Sequence, residues 1–186
     1  MKKLLFIFIA VMSVGTLWAQ TEVAGISMPN SETFKGETLN LNGAGVREKM
    51  WIDLYAGGLY LAKKSSNANE IVSSSEPMSI KLHIVSKLIS SDKMVDAVNE
   101  GFENATNGNT KSIDSEIEQF RSFFKEEIKK NDVFDIVYIP DTGVTAYKNG
   151  KELGTIKGMN FKKALFGIWL SNRPADDDLK NSMLGK

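Results

Sequence analysis

Between residues 39 and 61 the chain alternates apolar and polar side chains with the two-residue period of a half-buried strand. Leu39 and Leu41 alternate with asparagines, and MWIDLY (50–55) resumes the pattern, so 39–61 reads as a hairpin turning near Arg47–Lys49. Ala56-Gly57-Gly58 then interrupts the second strand. Glycines inside a strand mark a bulge, or a place where something approaches the backbone closely. Upstream, residues 21–36 read as a lead-in with Pro29-Asn30-Ser31 as a turn. Downstream, 65–77 is a polar loop with at most one helical turn, and SIKLHIVSKLI (79–89) is another alternating strand.

The period then changes. Ser90-Ser91-Asp92 caps a helix predicted over 92–105, with Met94, Val95, Val98 and Phe102 on one side. NATNGNTK (104–111) breaks it. From Ser112 a second helix carries the stripe Ile113, Ile117, Phe120, Phe123, Phe124 and Ile128. Residues 133–139, 144–148 and 153–156 read as short strands, and Asn149-Gly150 is a strong hairpin signal. Asn160 opens a last amphipathic helix to about Leu170 that buries Phe161, Leu165, Ile168 and Trp169, and Asp178 caps a final short turn. With no repeat and no domain boundary, the order of strands, two helices, strands and helix is that of one mixed α+β domain over residues 20–186.

Residues 1–19 stand apart. Lys2 and Lys3, an apolar run from Leu4 to about Val14 and smaller residues up to Ala19 have the layout of a secretory signal peptide. The run is short of the ~20 residues a spanning helix needs, so no stable membrane span is expected once the signal is removed. No cysteine follows it, which excludes a lipid-anchored lipoprotein. The expected destination is the bacterial periplasm. After removal of the signal the chain has 21 basic and 23 acidic residues, a formal net charge of −2. That balance makes no electrostatic case for a nucleic-acid partner. The absence of cysteine also removes a disulfide scaffold, a thiol nucleophile and cysteine-bound zinc.

Little catalytic chemistry is legible. His83, the single histidine, sits in a strand without an acidic partner at useful spacing. Asp176-Asp177-Asp178 is followed by no oxygen-ligand loop, and no phosphate loop, nucleophile elbow or metal spacing appears. No cofactor is implied. The phenylalanines at 120, 123 and 124, with Trp51 and Trp169, suit a core or a cavity equally well by type.

Arg47 and Tyr55 are the exception. Arg47 has only glycines and apolar residues for four positions upstream. An arginine drawn into an apolar pocket needs an anionic partner, because a buried unpaired charge costs several kcal/mol. Where the protein supplies no carboxylate, a ligand carboxylate does so through two parallel hydrogen bonds. A tyrosine hydroxyl across the hairpin donates a third. Such a site binds an acid with an apolar tail.

The segment GAGVREKMWIDLYAGGLYL (43–61) resembles the core of the chalcone isomerase fold family. Gly43-Ala44-Gly45-Val46-Arg47 is similar to the family's G-G-A-G-x-R, and Leu54–Leu61 to the strand that follows it. ALFGIWLSNRPADDDLKNSMLG (164–185) resembles the family's closing helix and tail. The resemblance implies a large antiparallel sheet covered by helices on one face, an open-faced β-sandwich with the ligand cleft between the layers. In the isomerases the arginine matching Arg47 polarises the substrate during an intramolecular ring closure. The other family positions depart: the catalytic threonine is Tyr55 here, the active-site tyrosine falls at about Lys93, the asparagine at about Glu100, and a helix threonine at Ile168. In the non-catalytic fatty-acid-binding branch, an arginine and a tyrosine at the places of Arg47 and Tyr55 grip the carboxylate. The resemblance therefore implies a binder of a fatty acid or similar amphiphilic carboxylate, lined by Arg47, Tyr55, Lys93, Ile168 and Trp169. The alternatives are an isomerase of enone-like substrates using Arg47, and an envelope interaction protein that has lost the cleft.

Overall fold

A computed structural model describes residues 20–186, so the export signal expected over 1–19 lies outside the described residues. Strands β1 (Thr21–Val23) and β2 (Ile26–Met28) form a small hairpin of their own. Seven strands make the main sheet: β3 (Ser31–Phe34), β4 (Glu37–Lys49), β5 (Ile52–Leu61), β6 (Met78–Ile84), β7 (Val133–Ile139), β8 (Gly143–Lys148) and β9 (Lys151–Ile156). They lie side by side in chain order, and every neighbouring pair is antiparallel. The helices are α1 (Ala68–Ser73), α2 (Ser91–Thr106), α3 (Asp114–Ser122), α4 (Met159–Leu170) and α5 (Asp177–Met183). The result is the mixed α+β architecture read from the sequence.

Strand alternation gives the sheet two differently furnished faces. On one, Leu59, Ile80, Leu82, Phe134 and Ile136 join the buried side chains of α2, α3 and α4 in the main core. Phe102, Phe120, Phe124, Phe134 and Phe161 interlock there with ring centroids 5.3–6.2 Å apart, so these phenylalanines are core. On the other face, the β1–β2 hairpin packs Val23 and Met28 against Leu39, Leu41, Ala56 and Tyr60. The sheet curls toward this second face. Lys81 Nζ on β6 reaches Asp135 at 2.6 Å and Glu32 on β3 at 2.7 Å, and Phe34 lies 5.9 Å from the ring of Tyr147 on β8. Burial alone would lower the Lys81 pKa, but the two carboxylates more than reverse this and hold it above the ordinary value.

The glycines that interrupt the strand pattern mark a close approach. A Cβ on Gly43 would lie 2.1 Å from the Ser182 carbonyl oxygen, one on Gly45 2.6 Å from Ser182 Cβ, and one on Gly57 2.9 Å from Met183 Cε. Gly45 and Gly57 are partners across β4 and β5. Helix α5 therefore lies almost on the strand backbone.

Local corrections follow from hydrogen bonding. The β4–β5 turn falls at Met50-Trp51, not Arg47–Lys49, because β4 runs to Lys49 and shifts register between Arg47 and Glu48. Helix α3 stops at Ser122: the N–H groups of Phe123 and Phe124 bond three residues back, tightening the last turn. Phe124 and Ile128 are buried nonetheless, from a loop. Strand β6 ends at Ile84, and the N–H groups of Val85 and Ser86 both donate to the Leu54 carbonyl, so 85–90 crosses over as a loop. The lead-in holds three short strands, and the 65–77 loop holds the six-residue α1, capped by Asn67. The cap of α5 is Asp176, whose Oδ1 accepts from the Leu179 N–H at 2.8 Å.

Lys162, on α4, is wholly buried. Its Nζ donates to the carbonyls of Ile71 (3.2 Å), Val72 (2.9 Å) and Ser74 (2.7 Å), which close the C-terminal end of α1. The rings of Tyr138 and Phe166 lie 5.1 and 5.5 Å from the same nitrogen. Burial, with Lys163 adding its charge, pulls the Lys162 pKa down to about 8.

Candidate functional site

Arg47 and Tyr55 are direct partners across β4 and β5, in register. The bulge between Leu41 and Gly43 sets the phase of β4 so that Gly43, Gly45 and Arg47 share a face. On β5 the residues sharing that face are Tyr55, Gly57 and Leu59, and both sets look toward the helices. The pair thus opens into the cleft between β5, β6 and the helices α2 and α4. The cleft has a volume of about 400 Å³, within the range of small-molecule sites. Leu54, Leu82, Ile89, Met94 and Val98 supply its apolar walls.

Tyr55 is buried, and its hydroxyl accepts a hydrogen bond of 3.0 Å from Trp169 Nε1. An indole N–H only donates, so the tyrosine keeps its own hydrogen for another acceptor. Burial pushes the Tyr55 pKa up, against a pull from the Arg47 cation and the Trp169 hydrogen bond. The hydroxyl therefore stays protonated at neutral pH. Arg47 is half-buried, and among the described residues it forms no ion pair. Its guanidinium thus remains available to a carboxylate, with the Tyr55 hydroxyl beside it.

The other residues singled out by sequence reach the same place. Lys93, Glu100, Ile168 and Trp169 all line this cleft. Ile168 sits so close to α2 that a Cβ on Gly101 would lie 2.7 Å from it. Lys93 Nζ donates to the Leu88 carbonyl at 3.1 Å and so pins the 85–90 loop beside the cleft. Sequence reasoning missed Leu88, Ile89 and Asp96. The first two look like the end of a strand until the loop that carries them is seen, and Asp96 shares the α2 surface with Lys93 and Glu100. His83 lies on the opposite face of the sheet from Leu82, away from the cleft. A second hollow of about 460 Å³, between α1, α2 and α4, is lined by Asn69, Asn104, Asn107, Asn160 and Asn172. Val72, Ala105, Ala164 and Leu170 line it as well, with Lys163 and Arg173, so its surface is mixed.

A curled antiparallel sheet with a helix-roofed cleft on one face defines the chalcone isomerase type of fold. The chain belongs to the chalcone isomerase-like family, whose model matches residues 20–185. The crystal structure of an Arabidopsis thaliana fatty-acid binding protein is similar to it, with a TM-score of 0.69 at 19% identity. That match covers 86% of this chain and 92% of the other, and it is a likeness of fold. No curated protein matches the chain.

Proposed function

We propose that this protein binds a fatty acid or similar amphiphilic carboxylate without transforming it. The observation that carries the reading is the cross-strand pair: a half-buried arginine with no carboxylate partner among the described residues, beside a buried tyrosine whose hydrogen is free. The carboxylate head meets Arg47 and Tyr55, and the chain runs along Leu54, Leu82, Ile89, Met94, Val98 and Ile168. Burying the tail at ~0.8 kcal/mol per methylene gives most of the affinity, while the charged head fixes orientation and favours acids over alcohols. The fatty-acid binding protein of the same fold supports this reading. The isomerase alternative has less behind it: Lys93, Glu100 and Ile168 line the cleft, and the resemblance sets the enzymes' tyrosine, asparagine and threonine at about these positions. The layout of residues 1–19 supports export to the periplasm.

Native mass spectrometry of the mature protein purified from cells tests the proposal. A bound fatty-acid mass is expected in the wild type and its loss in Arg47→Ala. A wild type that is empty, and stays empty when offered fatty acids, removes the reading. The N-terminal residue of the same sample reports whether the signal is cleaved.

A further inference from the structure

Among the described residues, the large hydrophobic side chains left exposed are Met50 (75%), Trp51 (92%), Ile52 (39%) and Leu88 (51%). They converge from two separate segments, the β4–β5 turn and the loop after β6. Met50, Ile52 and Leu88 form the rim of the cleft, and Trp51 projects from the turn between two of them.

The turn is built against backbone preference. Met50 and Trp51 have φ of 51° and 60°, the left-handed pair of a type I′ hairpin, which favours Asn-Gly because larger side chains are strained there. The same chain uses Asn149-Gly150, with φ of 52° and 78°, for its β8–β9 turn. A methionine and a tryptophan held at the tip, at a cost in strain, are being displayed.

We infer that this tip docks on a lipid bilayer surface. Four exposed apolar side chains make a small patch beside the ~800 Å² and roughly 20–30 residues per partner that a stable protein interface buries. Tryptophan suits the boundary between headgroups and acyl chains, where its ring is half solvated. Lys49 adjoins Met50 and Lys87 adjoins Leu88 in sequence, and Glu48 and Asp53 balance them in number, so the tip carries no net charge. Apolar insertion therefore supplies the attachment, with little dependence on lipid charge. Docked this way, the cleft opens at the bilayer surface. The docking stands on the exposed tip; its use, passing an acyl chain between membrane and cleft, rests on the binding function proposed above.

The test is flotation of the mature protein with vesicles of phosphatidylcholine, and of mixed phosphatidylethanolamine and phosphatidylglycerol. Trp51→Gly is the informative variant, because it removes the side chain, relieves the turn and leaves the cleft lining untouched. The wild type floats with both vesicles, and brominated acyl chains quench its fluorescence. Trp51→Gly melts no lower than wild type, binds soluble fatty acid equally well, and loses flotation by about tenfold or more. A wild type that does not float, or a variant that floats equally, overturns the inference. A dimer without vesicles that Trp51→Gly dissociates also overturns it, in favour of a second copy of the chain. Flotation that depends on Trp51, with no fatty-acid binding by either protein, leaves the docking standing and removes the ligand reading.

Discussion

Trp169 Nε1 donates to the Tyr55 hydroxyl at 3.0 Å, tying the last turn of α4 to the middle of β5 beneath the cleft. The bond fixes which way the tyrosine hydrogen points, toward the cleft and away from the indole. Tyr55→Phe is expected to lower carboxylate affinity and to strand the indole N–H, costing ~1–3 kcal/mol of stability. Trp169→Phe should cost stability similarly while retaining more of the affinity. Paired titration calorimetry and thermal melts separate the two effects.

Arg47→Ala should weaken fatty-acid binding by ~1.5–3 kcal/mol, as loss of charge-assisted hydrogen bonds does. The same substitution should leave the affinity for the matching fatty alcohol nearly unchanged. Titration of both ligands into both proteins checks this, and equal affinities for the acid would displace the head group from Arg47.

Gly43→Ala should destabilise more than Gly45→Ala. The first Cβ would meet a backbone carbonyl of α5 at 2.1 Å, the second a serine side chain at 2.6 Å. Overpacking costs ~1–3 kcal/mol where neighbours can yield, and a helix backbone yields less than a serine. Urea unfolding of both variants gives the order.

Lys162→Met should cost ~2–3 kcal/mol, because three carbonyls at the end of α1 lose their donor inside the core. The wild type also acquires a characteristic pH dependence. The folded pKa of about 8 lies below the ordinary 10.5. Between these values the unfolded chain holds a proton that the folded chain has released, so stability rises with pH. Below the window both states are charged and the contribution is flat. The stability difference between wild type and Lys162→Met should therefore grow as pH is raised from about 8 toward 10.5, measured by denaturant midpoints.

Lys81→Met leaves Glu32 and Asp135 facing each other with no cation between them. Removal of one partner from a buried ion cluster costs ~3–5 kcal/mol. Burial already raises the Glu32 pKa, so mild acid should protonate that carboxyl first and recover part of the loss. Midpoints at neutral and mildly acidic pH show the recovery.

Periodicity found most of the strands, and it found α2 and α3 because each has one face in the core and one in water, whereas α4, which reads as amphipathic, is buried on almost every side. It placed Arg47 and Tyr55 close together but at a turn, since a single bulge after Arg47 moves the tip by a few residues and leaves no trace in the pattern. The hydroxyl–indole bond joins residues 114 apart in sequence, which no local signal carries. Lys162 illustrates the opposite failure. On a helix wheel a lysine reads as solvated, and only the arrival of α1 above it makes burial tolerable. The Glu32–Lys81–Asp135 cluster was illegible for the same reason, since the curl of the sheet assembles it from three strands.

The glycines beside Arg47 look in sequence like part of a ligand motif, yet what they accommodate is the helix α5 at the far end of the chain. That pattern is thus a footprint of architecture. Its spacing records where a tail helix closes over the sheet, whatever the cleft beside it holds. What bears on the proposed ligand is the residue that partners the arginine across the hairpin, which here is Tyr55.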